Sequence, residues 1–399
     1  MHLLRYIQWI LKPIQWLSQC VLSLGTQALR IVGFPVTLIC LVWLGFNLLT
    51  LIPLAWISQV LPTPEWVYEL LVHWRLQLGL LGVLGLGWFI VVRYQTLVYL
   101  SLGIISIQAW LVYQALSPLT SSLPTSVPLT PEKIKPISQG GNALHVLQAN
   151  VFIHNMAPAQ AIKTLTTTQA DMVVLQEVDA VWRGKLLANA TLKQQFPMWV
   201  YHDASDVLIL SRLPVLKSDL VEITLPQNQT NERFWEHPIL VSIQGKTLQG
   251  TPKVWHILGI HPPVPFSEIY WKSQQAYVQW VQQLQSPQGA SLGFQQHRTV
   301  RLDPSEALIV LGDFNTTPYS QTFQRWQNNT GLSPALRLVS TCQTLCLQPS
   351  WPSMLGLPFL QIPIDHAFVS KHIHVLSREP QASIGSDHLP VMNVFAVAP

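Results

Sequence analysis

Leu308-Ile309-Val310-Leu311-Gly312-Asp313-Phe314-Asn315-Thr316-Thr317-Pro318 runs from four aliphatic residues into a glycine, an acid, an aromatic and an amide. A buried strand that empties into such a loop sets a carboxylate and a carboxamide, two residues apart, on one face of its mouth. That arrangement suits the handling of phosphate. A single Asp-x-Asn is also what an ordinary turn looks like, so the weight falls on how the other strands of the chain end.

Several end the same way. The run over 144–151 finishes in Gln148-Ala149-Asn150-Val151, with an amide at its tip. Met172-Val173-Val174-Leu175 leads into Gln176-Glu177, and Val254-Trp255-His256-Ile257-Leu258-Gly259-Ile260 leads into His261. Ile364 is followed by Asp365, and Ser386-Asp387-His388 enters the last aliphatic stretch. Oxygen donors from Asn and Glu suit Mg²⁺ or Mn²⁺, which bridge to phosphate oxygens. Histidines beside carboxylates suit proton transfer and the stabilisation of charge on a phosphorane-like transition state. Zinc is disfavoured, since there is neither a cysteine cluster nor a His-Glu-x-x-His pattern. Asn150 and Asp365 fit turn caps at strand ends equally well. His261, ahead of Pro262-Pro263, also fits a loop histidine. His145, His256, His366 and His374 are assigned no chemistry, and Asn155 fits a turn.

Around these strand ends the sequence alternates short aliphatic runs with helical patterns. Strands are expected over 144–151, 171–178, 207–210, 239–243, 254–260, 307–311, 364–369, 373–376 and 391–397. Helices are expected over 158–169, 267–284 and near 320–327. Strands joined both by short turns and by helices imply mixed α/β sheets in one large domain spanning 142–399.

The part ahead of that domain is different. The chain of 399 residues is 49% hydrophobic and only 11% charged, too apolar for a purely soluble protein. No charged residue occurs between Arg30 and Glu65, between Arg75 and Arg93, or between Arg93 and Glu132. A bilayer core takes about 20 apolar residues per helix, so residues 31–116 are expected to hold three transmembrane helices, over 31–54, 76–92 and 96–116. Residues 1–30 repeat apolar positions every three or four residues, interrupted by Arg5, Lys12 and Pro13, and read as an amphipathic helix lying in the interface. Residues 117–141 are rich in Ser, Thr and Pro and read as a linker. Counting Arg5, Lys12, Arg30 and Arg93 against Arg75, Lys133 and Lys135 puts the N-terminus in the cytoplasm and the large domain outside it.

Taken together, Asn150, Leu175-Gln176-Glu177-Val178, Gly312 to Pro318, Ile364-Asp365-His366 and Ser386-Asp387-His388-Leu389-Pro390-Val391 resemble, in order, the motifs of the endonuclease/exonuclease/phosphatase superfamily. The apolar segments ahead of them are similar to a bacterial membrane-anchored branch of it. The resemblance implies a four-layer α/β sandwich of the deoxyribonuclease I type, with the site at one rim. It implies that Glu177 is the principal ligand of Mg²⁺ (or Mn²⁺), with Asn150 beside it and Asp387 bound directly or through water. It implies Asp313 as the base that activates water, Asn315 as a holder of the nucleophile or a phosphate oxygen, and His388 as a stabiliser of phosphate charge oriented by Asp365. His261 falls where secreted nucleases and sphingomyelinases of the family carry a phosphate-contacting or leaving-group histidine.

The resemblance leaves the substrate open among lipids, nucleic acids and small phosphate esters. Residues 137–399 carry 16 basic and 16 acidic residues. A domain that grips a nucleic-acid backbone usually shows a basic surplus, so charge does not point to DNA or RNA. Tethering favours a lipid-linked or extracytoplasmic phosphate ester in a bacterial plasma membrane; an outer-face nuclease and a catalytically silent ligand-binding member are the alternatives. Trp271, Trp351 and Phe359 suit either substrate contact or core packing. Cys20 and Cys40 read as small apolar residues; Cys342 and Cys346 would pair in an oxidising compartment and stay reduced in the cytosol. Nothing in the sequence bears on oligomeric state.

Overall fold

The computed structural model describes residues 33–48, 50–51, 65–121, 143–223, 237–292, 298–334, 349–354, 356–357 and 360–397. The expected interfacial helix over 1–30, most of the linker over 117–141, and Cys20, Cys342, Cys346 and Phe359 lie outside the described residues. The chain divides into two compact units. One comprises residues 1–56 with 75–110, the other 57–74 with 111–399.

The larger unit is built on two six-stranded sheets. The first has the order β13-β14-β1-β2-β4-β3: β1 (Leu144–Asn150), β2 (Met172–Gln176), β3 (Met198–Tyr201), β4 (Leu208–Ser211), β13 (Ile373–Pro380) and β14 (Val391–Val397). The second has the order β11-β12-β10-β7-β6-β5: β5 (Val215–Leu220), β6 (Ile239–Lys246), β7 (Pro252–Ile260), β10 (Ala307–Asp313), β11 (Ser333–Pro334) and β12 (Asp365–Val369). Each sheet mixes parallel and antiparallel pairs: β1 lies parallel to β2 and antiparallel to β14, and β10 parallel to β7 and antiparallel to β12. A short hairpin of β8 (Ala290–Ser291) and β9 (Thr299–Val300) stands apart.

Side-chain alternation explains the layering. Along β10, Ala307, Ile309 and Leu311 enter the layer between the sheets, where they meet Val146, Val174, Ile209 and Ile257. Leu308 and Val310 point the other way, against α8 (Glu268–Leu284) and α9 (Gln321–Asn329) through Tyr277, Val281, Phe323 and Trp326. The odd-numbered residues of β1 and β2 likewise turn outward, onto α5 (Pro158–Thr167), α6 (Ala180–Leu187) and α7 (Ala190–Gln195) through Leu165, Trp182 and Leu192. The result is helices, sheet, sheet, helices: the four-layer sandwich expected from the sequence. The two sheets approach closely at Gly259, where an added Cβ would meet Val174 Cγ1 and Val207 Cγ1 at 3.0 Å. Side-chain caps stop the helices from fraying; Ser267 accepts the Tyr270 N–H and Ser320 the Phe323 N–H.

The smaller unit contains α1 (Gly33–Leu48), α3 (Arg75–Val91) and α4 (Gln95–Ser121), whose first residues belong to it. Its interior holds both an apolar cluster, around Trp43, Leu44 and Ile104, and a polar one. Asn47, Thr50 and Gln108 are buried and joined by Gln108 Nε2 donating to Asn47 Oδ1 (3.1 Å) and Thr50 Oγ1 (2.7 Å). Phe34, Ile39, Leu80, Leu84, Ile90 and Tyr99 face outward. Of the three expected crossings, one is matched by a single helix of sufficient length among the described residues. Among the described residues only Gln95–Ala115 is long and apolar enough to cross a membrane by itself. Over the described residues α1 is shorter, and α3 has 17 residues, about 26 Å at 1.5 Å each against a hydrocarbon core of about 30 Å; with Glu65–His73 it meets the same test only as a bent pair. A multi-pass region is therefore not supported. Between the first two expected spans, where no element was assigned, lies a helix, α2 (Glu65–His73), and it belongs to the larger unit.

Candidate active site

The polar side chains expected at the strand mouths collect at one end of the inter-sheet layer. Asp313 continues the Ile309, Leu311 face of β10, and Gln148 and Asn150 continue the Leu144, Val146 face of β1. Both β1 amides therefore reach across to the opposite sheet. Gln148 Nε2 donates to the Gly312 carbonyl (2.5 Å) and to Asp365 Oδ1 (3.2 Å). Asn150 Nδ2 donates to Glu177 Oε1 (2.8 Å) and Asp313 Oδ2 (3.2 Å). Gly312 is required here by a close approach: its Cβ would sit 1.9 Å from the Ile260 carbonyl oxygen.

Asp313, 1% exposed, is the centre of the cluster. Its Oδ1 accepts the Asn315 N–H (2.9 Å). Its Oδ2 lies 3.5 Å from His388 Nε2 and 3.7 Å from His261 Nε2. Each histidine is backed by a carboxylate of its own: His388 Nδ1 by Asp365 Oδ2 (2.8 Å), His261 Nδ1 by Asp206 Oδ2 (2.5 Å). Asn315 donates from Nδ2 to the Pro262 carbonyl (3.0 Å), which ties the loop after β10 to the residues after His261. Glu177 and Asn315 both adopt positive φ, +60° and +48°, a left-handed conformation costly for residues with a Cβ. Held by the Asn150 amide and by the Ile153 N–H on Oε2 (2.8 Å), Glu177 lines a cavity of about 320 Å³ together with Asp313, Asn315, His261, Asp387 and His388.

Burial and charge set the protonation states. Burial pushes the Asp313 carboxyl up to about 6, although His388 and His261 beside it pull the other way. Burial alone would lower His388; Asp365 and Asp313 outweigh it and hold the imidazolium up to about 9. Asp365, which burial alone would raise, is kept below the ordinary carboxylate range by His388. Near neutrality the centre thus pairs an anionic Asp313 with a cationic His388.

The donors present fit a divalent cation on one side of the cavity. Asp313, Asp365 and His388 bring ligand atoms within 4.8 Å of one another, but a metal needs a neutral imidazole, and both nitrogens of His388 already face carboxylates. Glu177 and Asp387 supply hard carboxylate oxygens in the same cavity, the chemistry that suits Mg²⁺ or Mn²⁺.

All eight residues singled out in the sequence, Asn150, Glu177, His261, Asp313, Asn315, Asp365, Asp387 and His388, fall in or directly beside this cavity. Trp351 also lies there, donating from Nε1 to Asp387 Oδ2 (2.9 Å), whereas Trp271 stacks under Arg325 (5.4 Å). His366 is structural: burial and Arg378 push it down to about 3, and it packs on Phe314 and Phe323. Sequence reasoning missed Asp206, Gln148 and Arg378, whose Nη2 donates to the Asp365 carbonyl. For Asp206 a signal existed, since it stands directly ahead of the run Val207-Leu208-Ile209-Leu210.

With fold and site in view, the chain's class can be given: residues 147–388 match the profile of the Endonuclease/Exonuclease/phosphatase family, and the chain belongs to that family of hydrolases. Comparison with curated proteins gives no match. Among solved structures it is similar to the catalytic domain of human Nocturnin with bound sulfate (17% identity, 64% of this chain and 95% of that one, TM-score 0.47). It is also similar to an endonuclease/exonuclease/phosphatase from Beutenbergia cavernae (17%, 64% and 72%, 0.45) and to beta toxin from Staphylococcus aureus with bound magnesium ions (13%, 64% and 99%, 0.42).

Proposed function

We propose that this hydrolase is a membrane-anchored, divalent-metal-dependent phosphoesterase that cleaves phosphodiester or phosphomonoester bonds by in-line attack of water. The observation that carries the reading is Asp313 set between two histidines, 3.5 and 3.7 Å away, each with its own carboxylate behind it. Asp313, pushed up to about 6, is suited to take a proton from water near neutral pH. The hydroxide so formed attacks phosphorus opposite the leaving oxygen, which departs with the bonding pair. His388, cationic, faces the charge that develops on the phosphoryl oxygens. His261, oriented by Asp206, contacts the phosphate or protonates the leaving oxygen. Asn315 positions the attacking water or a phosphate oxygen. Glu177, with Asn150 beside it and Asp387 directly or through water, would hold Mg²⁺ or Mn²⁺. Such an ion supplies charge neutralisation on the phosphate.

Anchoring is supported by the apolar exterior of the smaller unit and by the length of Gln95–Ala115. The test uses the full chain in detergent and its Asp313→Ala variant. Both are assayed with Mg²⁺, Mn²⁺ or EDTA on sphingomyelin, phosphoinositides, bis-p-nitrophenyl phosphate and plasmid DNA. Cleavage of a lipid or small ester that needs both metal and Asp313, with DNA untouched, is the expected result. Nicking of DNA alone would turn the reading to a nuclease, and inactivity on all of them to a ligand-binding member.

A further inference from the structure

Helix α2 and Trp74 stand far ahead of the family's matched residues in sequence, yet they form part of the catalytic unit. Three contacts fix them there. Glu69, 1% exposed, accepts the N–H groups of Gln321 (3.2 Å) and Thr322 (2.8 Å) at the start of α9, where a carboxylate meets the positive end of a helix. His73 Nδ1 lies 3.2 Å from Thr317 Oγ1, in the loop that carries Asp313 and Asn315. The Trp74 ring meets Trp351 edge-on at 6.1 Å, and Trp351 in turn holds Asp387.

This docking adds apolar surface to the cavity. Besides the carboxylates and histidines, its lining includes Leu70 and Trp74 together with Val264, Phe266 and Ile362, and these five make up an apolar wall. A bare phosphate needs no such wall, and a nucleic-acid backbone would find on it neither cation nor amide. We infer, on the phosphoesterase reading, that the wall receives a hydrocarbon group attached beside the scissile phosphate. The substrate is then an amphiphilic phosphate ester of the lipid class, and Leu70 and Trp74 set the preference for it.

The test compares methyl and decyl p-nitrophenyl phosphate, which share leaving group and scissile bond, on the full chain in amphipol with Mg²⁺. The wild type should favour the decyl ester in kcat/KM by at least about tenfold, the scale on which an apolar pocket discriminates. Leu70→Ser and Trp74→Gln should each cut that ratio by about tenfold, through KM rather than kcat. Two variants are needed because Trp74 also touches Trp351, whereas Leu70 tests the wall alone. A wild-type ratio near one, or a ratio unchanged in both variants, overturns the inference. If neither ester is cleaved, the phosphoesterase reading fails and calorimetric binding of decyl phosphate against methyl phosphate reads the wall by itself. Tighter binding of the decyl compound that Leu70→Ser abolishes sustains it, and equal binding refutes it.

Discussion

Replacing Asp365 by Asn changes the charge at the centre while leaving its shape. The new amide can keep its oxygen toward Gln148 Nε2 and turn its NH₂ to His388 Nδ1, where Asp365 now lies at 2.8 Å. That ring nitrogen then accepts, and the imidazole becomes neutral with its remaining proton on Nε2, toward Asp313. His388 is held up to about 9 against the lowering effect of burial by Asp365, Asp313 and, least of the three, Asp387; with Asp365 neutral, Asp313 at 3.5 Å and the weaker Asp387 are left against that burial. The pKa should fall to its ordinary 6.5 or below. At ~1.4 kcal/mol per pH unit this is a loss of roughly 3.5 kcal/mol of preference for the cation, and at pH 8 the imidazolium population drops by about 30-fold. The assay is kcat/KM for bis-p-nitrophenyl phosphate from pH 5 to 10. In the wild type it should be bell-shaped, falling below about 6 as Asp313 takes up a proton and above about 9 as His388 loses one. In Asp365→Asn the alkaline limb should move down to about 6.5, leaving a low, narrow peak. An alkaline limb still near 9, with activity at pH 8 within about threefold of wild type, would refute the assignment of His388 as the cationic partner.

Asp206→Asn should act in the same manner on the other histidine, lowering kcat by about 10- to 100-fold with little change in thermal stability, since it releases His261 from its 2.5 Å partner without opening a void. Gly312→Ala should lower stability by about 3 kcal/mol or more and be seen as a depressed melting temperature, because its Cβ would fall 1.9 Å from a backbone oxygen that cannot move aside; an unchanged melting temperature would mean the β7 and β10 ends are further apart than described. Glu69→Ala should cost about 1–2 kcal/mol, measured by denaturant unfolding, as α9 loses an acceptor for two N–H groups.

How much of this was readable in advance follows from the period of a strand. Asn150, Asp313 and Asp365 were found because each ends or begins an aliphatic run, and a period of two then fixes the face on which its side chain stands. Glu177 and Asn315 were found in the same way, although their left-handed backbone was not foreseeable from residue type. Gln148 escaped because it lies inside the run, where nothing in the sequence separates an amide bridging two sheets from one facing solvent. Asp206 escaped although it stands directly ahead of its strand, because the histidine it serves lies 55 positions later. Helix α2 escaped for a related reason. Glu69 and His73 look like a solvated connection between apolar segments until their partners, some 250 residues away, are known. The apolar segments themselves were legible in composition; among the described residues only Gln95–Ala115 is a helix long and apolar enough to cross a membrane by itself.

The amides of Gln148 and Asn150 act as tie-rods between two leaves. They grip the Gly312 carbonyl, Asp313 and Asp365 from the facing sheet, so the distance over which a proton must pass is gauged by the spacing of the sandwich itself. Turnover then becomes a readout of the dry layer beneath. Thinning that layer where Gly259 meets Val174 and Val207 would detune the chemistry from a distance, before the fold gave any sign of coming apart.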